Sequence, residues 1–283
     1  PIGWWDTDAQ QFRPEAQFNS EQAWFVPATS DNFANWSTAE SISSLVSGTG
    51  YSVHAKSSDT ASNFSGIVRA SFTWDSERPV SITTTPVNGG FFNAAVWSAI
   101  AGTAQDSGNV SCIDRVEVSM RQLGQGDDLG TNLWWKSLDS NFTQPGAQAD
   151  TAQLGGACTS PRDWTFIDIG VEELVSGTSY FIFAGARDES GLVEADFTSG
   201  ISTFVFDNDA PQSGIIGPVH LSTLSVLSQI TGTMQELPNA VGKINAGLRR
   251  TEIAIRRAQD GAYWSGSVWG AEAWISTSTS GAG

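Results

Sequence analysis

Two stretches of this chain carry nearly the same wording: residues 45–59 read LVSGTGYSVHAKSSD and residues 174–188 read LVSGTSYFIFAGARD. A catalytic motif is needed once per active site. A phrase of strand character written twice points instead to a copied piece of architecture, and that constrains the fold more than any other feature.

The duplication runs well beyond this phrase. FTWDSERP at 72–79 is answered by FVFDNDAP at 204–211, and PVSITTTP at 79–86 by PQSGIIGP at 211–218. IAGT at 100–103 returns as ITGT at 230–233, and RVEVSMR at 115–121 as RTEIAIR at 250–256. The pairs Trp4–Trp5, Trp134–Trp135 and Tyr263–Trp264 complete the period, with equivalents spaced by 129 to 135 residues. The unit is therefore about 130 residues long. Residues 1–74 read as the C-terminal half of one unit, 75–206 as a complete unit and 207–283 as the N-terminal half of a further one, so the chain is out of phase with its own repeat. The stretches 6–33 and 136–162 match each other poorly and read as variable insertions.

Each copied phrase has the period of a strand. Tyr51, Val53 and Ala55 alternate with Ser52, His54 and Lys56, which puts the first set on a core face. Val116, Val118 and Met120 alternate in the same way with Glu117, Ser119 and Arg121, and Ile253 and Ile255 follow in the third unit. Half-buried antiparallel strands joined by Gly, Asp and Pro turns predict an all-β chain of tandem β-sandwich repeats. Composition agrees: the chain has 12 Trp and 15 Phe to fill cores, and only 14 Lys plus Arg against 30 Asp plus Glu. The resulting net charge of −16 argues against nucleic acid, whose phosphates reward clustered Lys and Arg, and against an anionic membrane surface. No apolar run is long enough to span a bilayer, so no membrane insertion is expected. Residue 1 is Pro rather than Met, as processing or truncation would leave it.

Leu-Val-Ser-Gly-Thr before Tyr-x-Val/Ile-x-Ala-x-x-x-Asp, the Asp-Asn-Asp-Ala-Pro junction at 207–211, Ile-x-Gly-Thr followed by Val-Glu-Val-Ser, and Tyr-Trp-Ser-Gly-Ser-Val-Trp at 263–269 together resemble bacterial immunoglobulin-like and fibronectin-III-like repeats. The resemblance covers nearly the whole chain, in pieces. It implies immunoglobulin-like sandwiches in a large secreted or surface-attached protein, an extracellular or cell-surface location, and no single activity.

Catalysis has little to stand on in this sequence. His54 lies on the outward face of a strand and His220 in GPVHLST, with no acid–nucleophile pattern beside either and no G-x-S-x-G, HExxH or phosphate-cradling loop. No catalytic residue is nominated, and the chain is not expected to be an enzyme. The acidic turns are more informative: Asp75 and Glu77 recur as Asp207 and Asp209 just before a Pro, and Asp59 and Asp188 end the strands upstream. Carboxylates clustered between consecutive domains suit calcium, a hard cation that takes oxygen ligands. The plainer alternative is that Asp and Asn make turns before Pro.

Trp5, Trp135 and Trp264 fall at equivalent places, as do Trp36 and Trp164, which is the behaviour of core residues. Trp97 and Trp269 lack an evident counterpart and are the candidates for stacking on a glycan. Cys112 and Cys158 both belong to the middle unit; as a disulfide they would contribute about 3–4 kcal/mol, and the alternative is two separate buried thiols. Phe181 and Phe183 stand where the first unit has Ser52 and His54. They form either a contact surface or a patch covered by the 136–162 stretch. Sequons at Asn35, Asn63, Asn109 and Asn141 carry little weight in a chain this rich in Ser and Thr.

The expected role is structural and non-enzymatic: a segment of an extracellular fibre or giant surface protein whose partners are copies of itself or adjacent repeats of the same polypeptide. An adhesin that recognises glycan or protein through its variable stretches is the rival.

Overall fold

The computed structural model describes residues 3–26, 28–30, 35–38, 42, 44–123, 132–237 and 241–277. Among them the chain is all-β, interrupted only by short 3-10 turns such as Ser137–Asp139 and Val171–Glu173.

The middle of the chain folds as two facing sheets. One runs Asn141–Gln144, Trp134–Lys136, Ile113–Leu123, Thr178–Asp188, Ser202–Phe206 and Gly90–Phe92, with Asp150–Thr151 also paired to Ile113–Leu123. The other runs Gln153–Leu154, Arg162–Phe166, Ile100–Asp106 and Pro79–Thr85. Pairing is antiparallel except between Ser202–Phe206 and Gly90–Phe92. Period-two alternation decides which side chains meet: Val116, Val118 and Met120 on one strand and Tyr180, Ile182 and Ala184 on its neighbour are all buried, as are Ile100, Trp164 and Phe166 from the opposite sheet. Full burial of each large apolar side chain is worth about 1.5–3 kcal/mol, so this one core supplies most of the driving force.

The flanking segments carry the same local structure in separate two-stranded sheets. In the N-terminal segment Thr49–Ala55 pairs with Val68–Trp74 so that Thr49 faces Trp74 and Tyr51 faces Phe72. The middle unit pairs Thr178 with Phe206 and Tyr180 with Phe204, which is the same register. In the C-terminal segment Ser213 faces Met234 and Ile215 faces Gly232, with a register shift before Gly217. Ser81 faces Ala104 and Thr83 faces Gly102, with a shift before Thr85, in the middle unit. Even the bulge is copied. The glycine of each Leu-Val-Ser-Gly-Thr phrase is left-handed, φ 77° at Gly48 and 73° at Gly177, a conformation only Gly takes without penalty, which explains why the turn entering the strand is copied letter for letter.

Side-chain packing repeats as well. In the middle unit Trp135 meets Phe142 edge-on at 5.4 Å, Phe142 meets Tyr180 at 5.4 Å and Tyr180 stacks on Phe204 at 5.3 Å. In the N-terminal segment Trp5, Phe12, Tyr51 and Phe72 form the same chain at 5.2, 5.3 and 5.6 Å. The difference is what covers it. Phe204 and Phe206 are 1% and 2% exposed, whereas their counterparts Phe72 and Trp74 are 41% and 38% exposed. The alternation expected of this strand holds only in part: Tyr51 is half-buried and Ser52 exposed, but Val53 is exposed while His54, expected in solvent, is half-buried against the edge of Trp4 at 5.2 Å, so the expected core face is open.

Candidate functional site

Three strand ends meet where the N-terminal segment joins the sandwich. Asp75 follows Val68–Trp74, Asp106 closes Ile100–Asp106 and Asp188 closes Thr178–Asp188. Each carboxylate offers an oxygen, and the three oxygens lie within 4.8 Å of one another. Turn chemistry holds one oxygen of each acid. The amides of Val110 (2.7 Å) and Ser111 (3.1 Å) donate to Asp106 Oδ2, Ser190 Oγ and Leu192 N donate to Asp188 Oδ1, and Glu77 N and Ser47 Oγ donate to Asp75 Oδ1. The second oxygens, Asp75 Oδ2, Asp106 Oδ1 and Asp188 Oδ2, are buried and accept no hydrogen bond, although Asp106 and Asp188 are wholly inaccessible as residues.

Such a cluster is electrostatically unfavourable on its own. Burial pushes the Asp106 carboxyl above its ordinary value, the Ser111 and Val110 amides oppose that, and the charges of Asp75 and Asp188 add to it. With all three ionised at this separation, each pair repels by roughly 3 kcal/mol in a medium of effective dielectric near 20. A cation would reverse the sign of that balance.

Of the six acids expected to ligate metal, the structure brings only Asp75 and Asp188 together. Glu77 contributes its amide to the turn. Asp207 repeats the Asp75 turn, taking the Asp209 amide on Oδ1, and its other oxygen receives Ala246 N at 2.6 Å. Asp59 repeats the Asp188 turn, but Asn63 Nδ2 occupies its second oxygen at 2.8 Å. The hydrogen bonds from Asn63 hold the Asp59 carboxyl below the usual carboxylate range. Asp106 escaped the sequence reading because it sits outside the copied phrases. Its signal was the acidic Glu236 one unit on.

Trp97 does not stand on the surface as expected. It stacks on Phe204 at 5.1 Å against the core, and its Nε1–H is spent on the Ile169 carbonyl at 3.0 Å. Trp269 pairs with Trp264 as Phe142 pairs with Trp135, so it has a counterpart after all. It is 40% exposed, and Arg257 lies over its ring at 4.8 Å. Phe181 and Phe183 are half-buried on the outer face, Phe181 against the edge of Trp134. Cys112 and Cys158 form a disulfide.

The second feature of note is the open face of the C-terminal segment. A groove of about 600 Å³ is lined by Ile215, Leu227, Ile230, Ile253 and Ile255 among others. By the repeat spacing the last four stand where Trp97, Ile100, Val118 and Met120 line the middle core. What fills the equivalent space there is Trp164, Tyr180, Ile182 and Phe204. Their counterparts Trp36, Tyr51, Val53 and Phe72 lie in the N-terminal segment, where Trp36 is 55% and Val53 48% exposed.

Among the described residues no helix is long and apolar enough to cross a membrane. Neither a scan against protein-family models nor a search of curated proteins finds a match to the chain.

Proposed function

We propose that this chain is a structural, non-enzymatic element of an extracellular fibre or large surface protein, built from tandem immunoglobulin-like sandwiches that join end to end. The half-unit at 207–283 is completed by the half-unit at 1–74, supplied by an adjoining repeat of the same polypeptide or by a second copy of this chain. One observation carries the reading: the two segments reproduce opposite ends of the middle unit in unchanged register, sharing only the hairpin of Trp135 and Phe142, and each leaves bare a face that the other would cover. Two-stranded pieces with an uncovered apolar face are marginal alone and are templates for strand addition. Of its two candidate stacking residues the adhesin reading keeps Trp269, since Trp97 is packed inward.

Cross-linking tests this directly. In the middle unit Asp163 sits opposite Thr103, and the repeat places Asn35 and Thr233 at the equivalent positions. The chain carrying Asn35→Cys and Thr233→Cys should form an oxidation-dependent ladder on a non-reducing gel. Each single variant should stop at the dimer. Absence of a ladder from concentrated, folded protein would sink the proposal.

A further inference from the structure

We propose that Asp75, Asp106 and Asp188 form a calcium site that ties the N-terminal half-unit to the sandwich. The claim is independent of whether the half-units complete one another. It rests on more than acidity. Asp106 and Asp188 are inaccessible to solvent, and each keeps one carboxylate oxygen with no hydrogen-bond partner, an arrangement a folded chain avoids unless another group satisfies them. One oxygen of each acid lies within 4.8 Å of the others, the acids come from three separate strand ends, and the turns that hold one oxygen of each fix its carboxylate in place.

The donor set selects the ion. The three carboxylates supply oxygen alone, and the Ser111 hydroxyl beside them, whose own amide is bonded to Asp106, is also buried without a partner. Three carboxylates give three to six oxygens according to whether each binds through one atom or two. That range, with a hydroxyl or water added, fits calcium's six to eight ligands and its tolerance of irregular geometry better than magnesium's strict octahedron. Zinc prefers nitrogen and sulfur, and the two cysteine sulfurs of this chain are joined to each other. Asp75 directly follows the last strand of the N-terminal segment, Val68–Trp74, whereas Asp106 and Asp188 end strands inside the sandwich. The ion therefore bridges the junction.

The test is calorimetric titration of calcium chloride into the full chain after treatment with a chelator, in 0.15 M sodium chloride, with thermal unfolding measured in parallel. The expected result is a saturable site with Kd of about 1 mM or tighter, and a rise in Tm of about 4 °C or more at saturating calcium. Asp106→Asn and Asp188→Asn should each weaken binding at least about tenfold, while Asp209→Asn, in the Asp207 turn outside this cluster, leaves this site unchanged. In calcium-free buffer Asp106→Asn should melt no lower than the parent, because a buried charge has been removed. If it unfolds instead, Asp75→Asn at the half-buried member gives the same readout. A folded chain that takes up no calcium overturns the assignment. So does calcium binding and a Tm rise that persist unchanged in Asp106→Asn, Asp188→Asn and Asp75→Asn.

Discussion

The indole of Trp164 occupies the space that a side chain on Gly102 would need. The two residues are directly opposed across the sheet, and a Cβ on Gly102 would come within 2.6 Å of Trp164 Cε2 and nearer still to the Ile82 carbonyl oxygen. The backbone of Pro79–Thr85 cannot yield as a side chain would, so Gly102→Val should destabilise the sandwich by about 3 kcal/mol. Urea denaturation followed by tryptophan fluorescence would measure it. A loss under 1 kcal/mol would show that the sheet adjusts.

Trp36 and Gly232 stand at the same two positions of the repeat, but in separate segments. Trp36 is 55% exposed, so Trp36→Ala should change the stability of the dilute chain by no more than about 0.5 kcal/mol. Trp164→Ala in the closed unit should cost about 3–5 kcal/mol. If the half-units complete one another, Trp36→Ala should nevertheless abolish concentration-dependent assembly in light scattering. Wild-type chain that stays monomeric at high concentration would count against completion itself. Assembly that survives Trp36→Ala would count only against Trp36 as its anchor.

How much of this was legible follows from what repeats encode. Register was readable because a copied strand keeps its partners: Leu-Val-Ser-Gly-Thr fixes a left-handed Gly, a Tyr three residues after that Gly and a facing aromatic, and all three return. Burial was not, because the alternation of Tyr51 and Val53 specifies a face without saying whether anything lies on it. The 6–33 and 136–162 stretches seemed unrelated because their wording diverges, yet Phe12 and Phe142 occupy one position opposite equivalent tryptophans. The acid cluster was half legible. Asp75 and Asp188 lie in copied phrases, whereas Asp106 joins them only through the fold of a strand whose sequence marks it weakly.

Reducing the Cys112–Cys158 bond should weaken the middle unit without unfolding it. The bond spans a sequence separation of 46 residues, and constraining an unfolded loop of that size is worth about 4 kcal/mol. The same loop is also held by Arg162, which donates to the carbonyls of Gly155, Gly156 and Ile113. The expected outcome is a lower urea midpoint under reductant with the circular dichroism spectrum retained. Loss of the spectrum would mean that the guanidinium contacts cannot hold the loop unaided.

Tyr180 gives the fold a stability limit at high pH. Its ring is fully buried between Phe142 and Phe204, and its hydroxyl accepts the Val175 amide at 2.7 Å. Burial disfavours the phenolate, the amide hydrogen bond opposes this in part, and the net effect pushes the pKa from 10.0 up to about 12. A group whose folded pKa is raised contributes stability that is fully present below its unfolded value and disappears as pH rises through the folded one. The window therefore runs from about pH 10 to about pH 12, and the loss across it is about 2–3 kcal/mol. Tyr180→Phe should remove that part of the pH dependence and the late rise in absorbance at 295 nm. At neutral pH it should cost about 1 kcal/mol, because the Val175 amide loses its acceptor. Parallel urea titrations from about pH 8 to 11 would decide it: curves for parent and Tyr180→Phe that fall in step would show that the phenol does not set the limit.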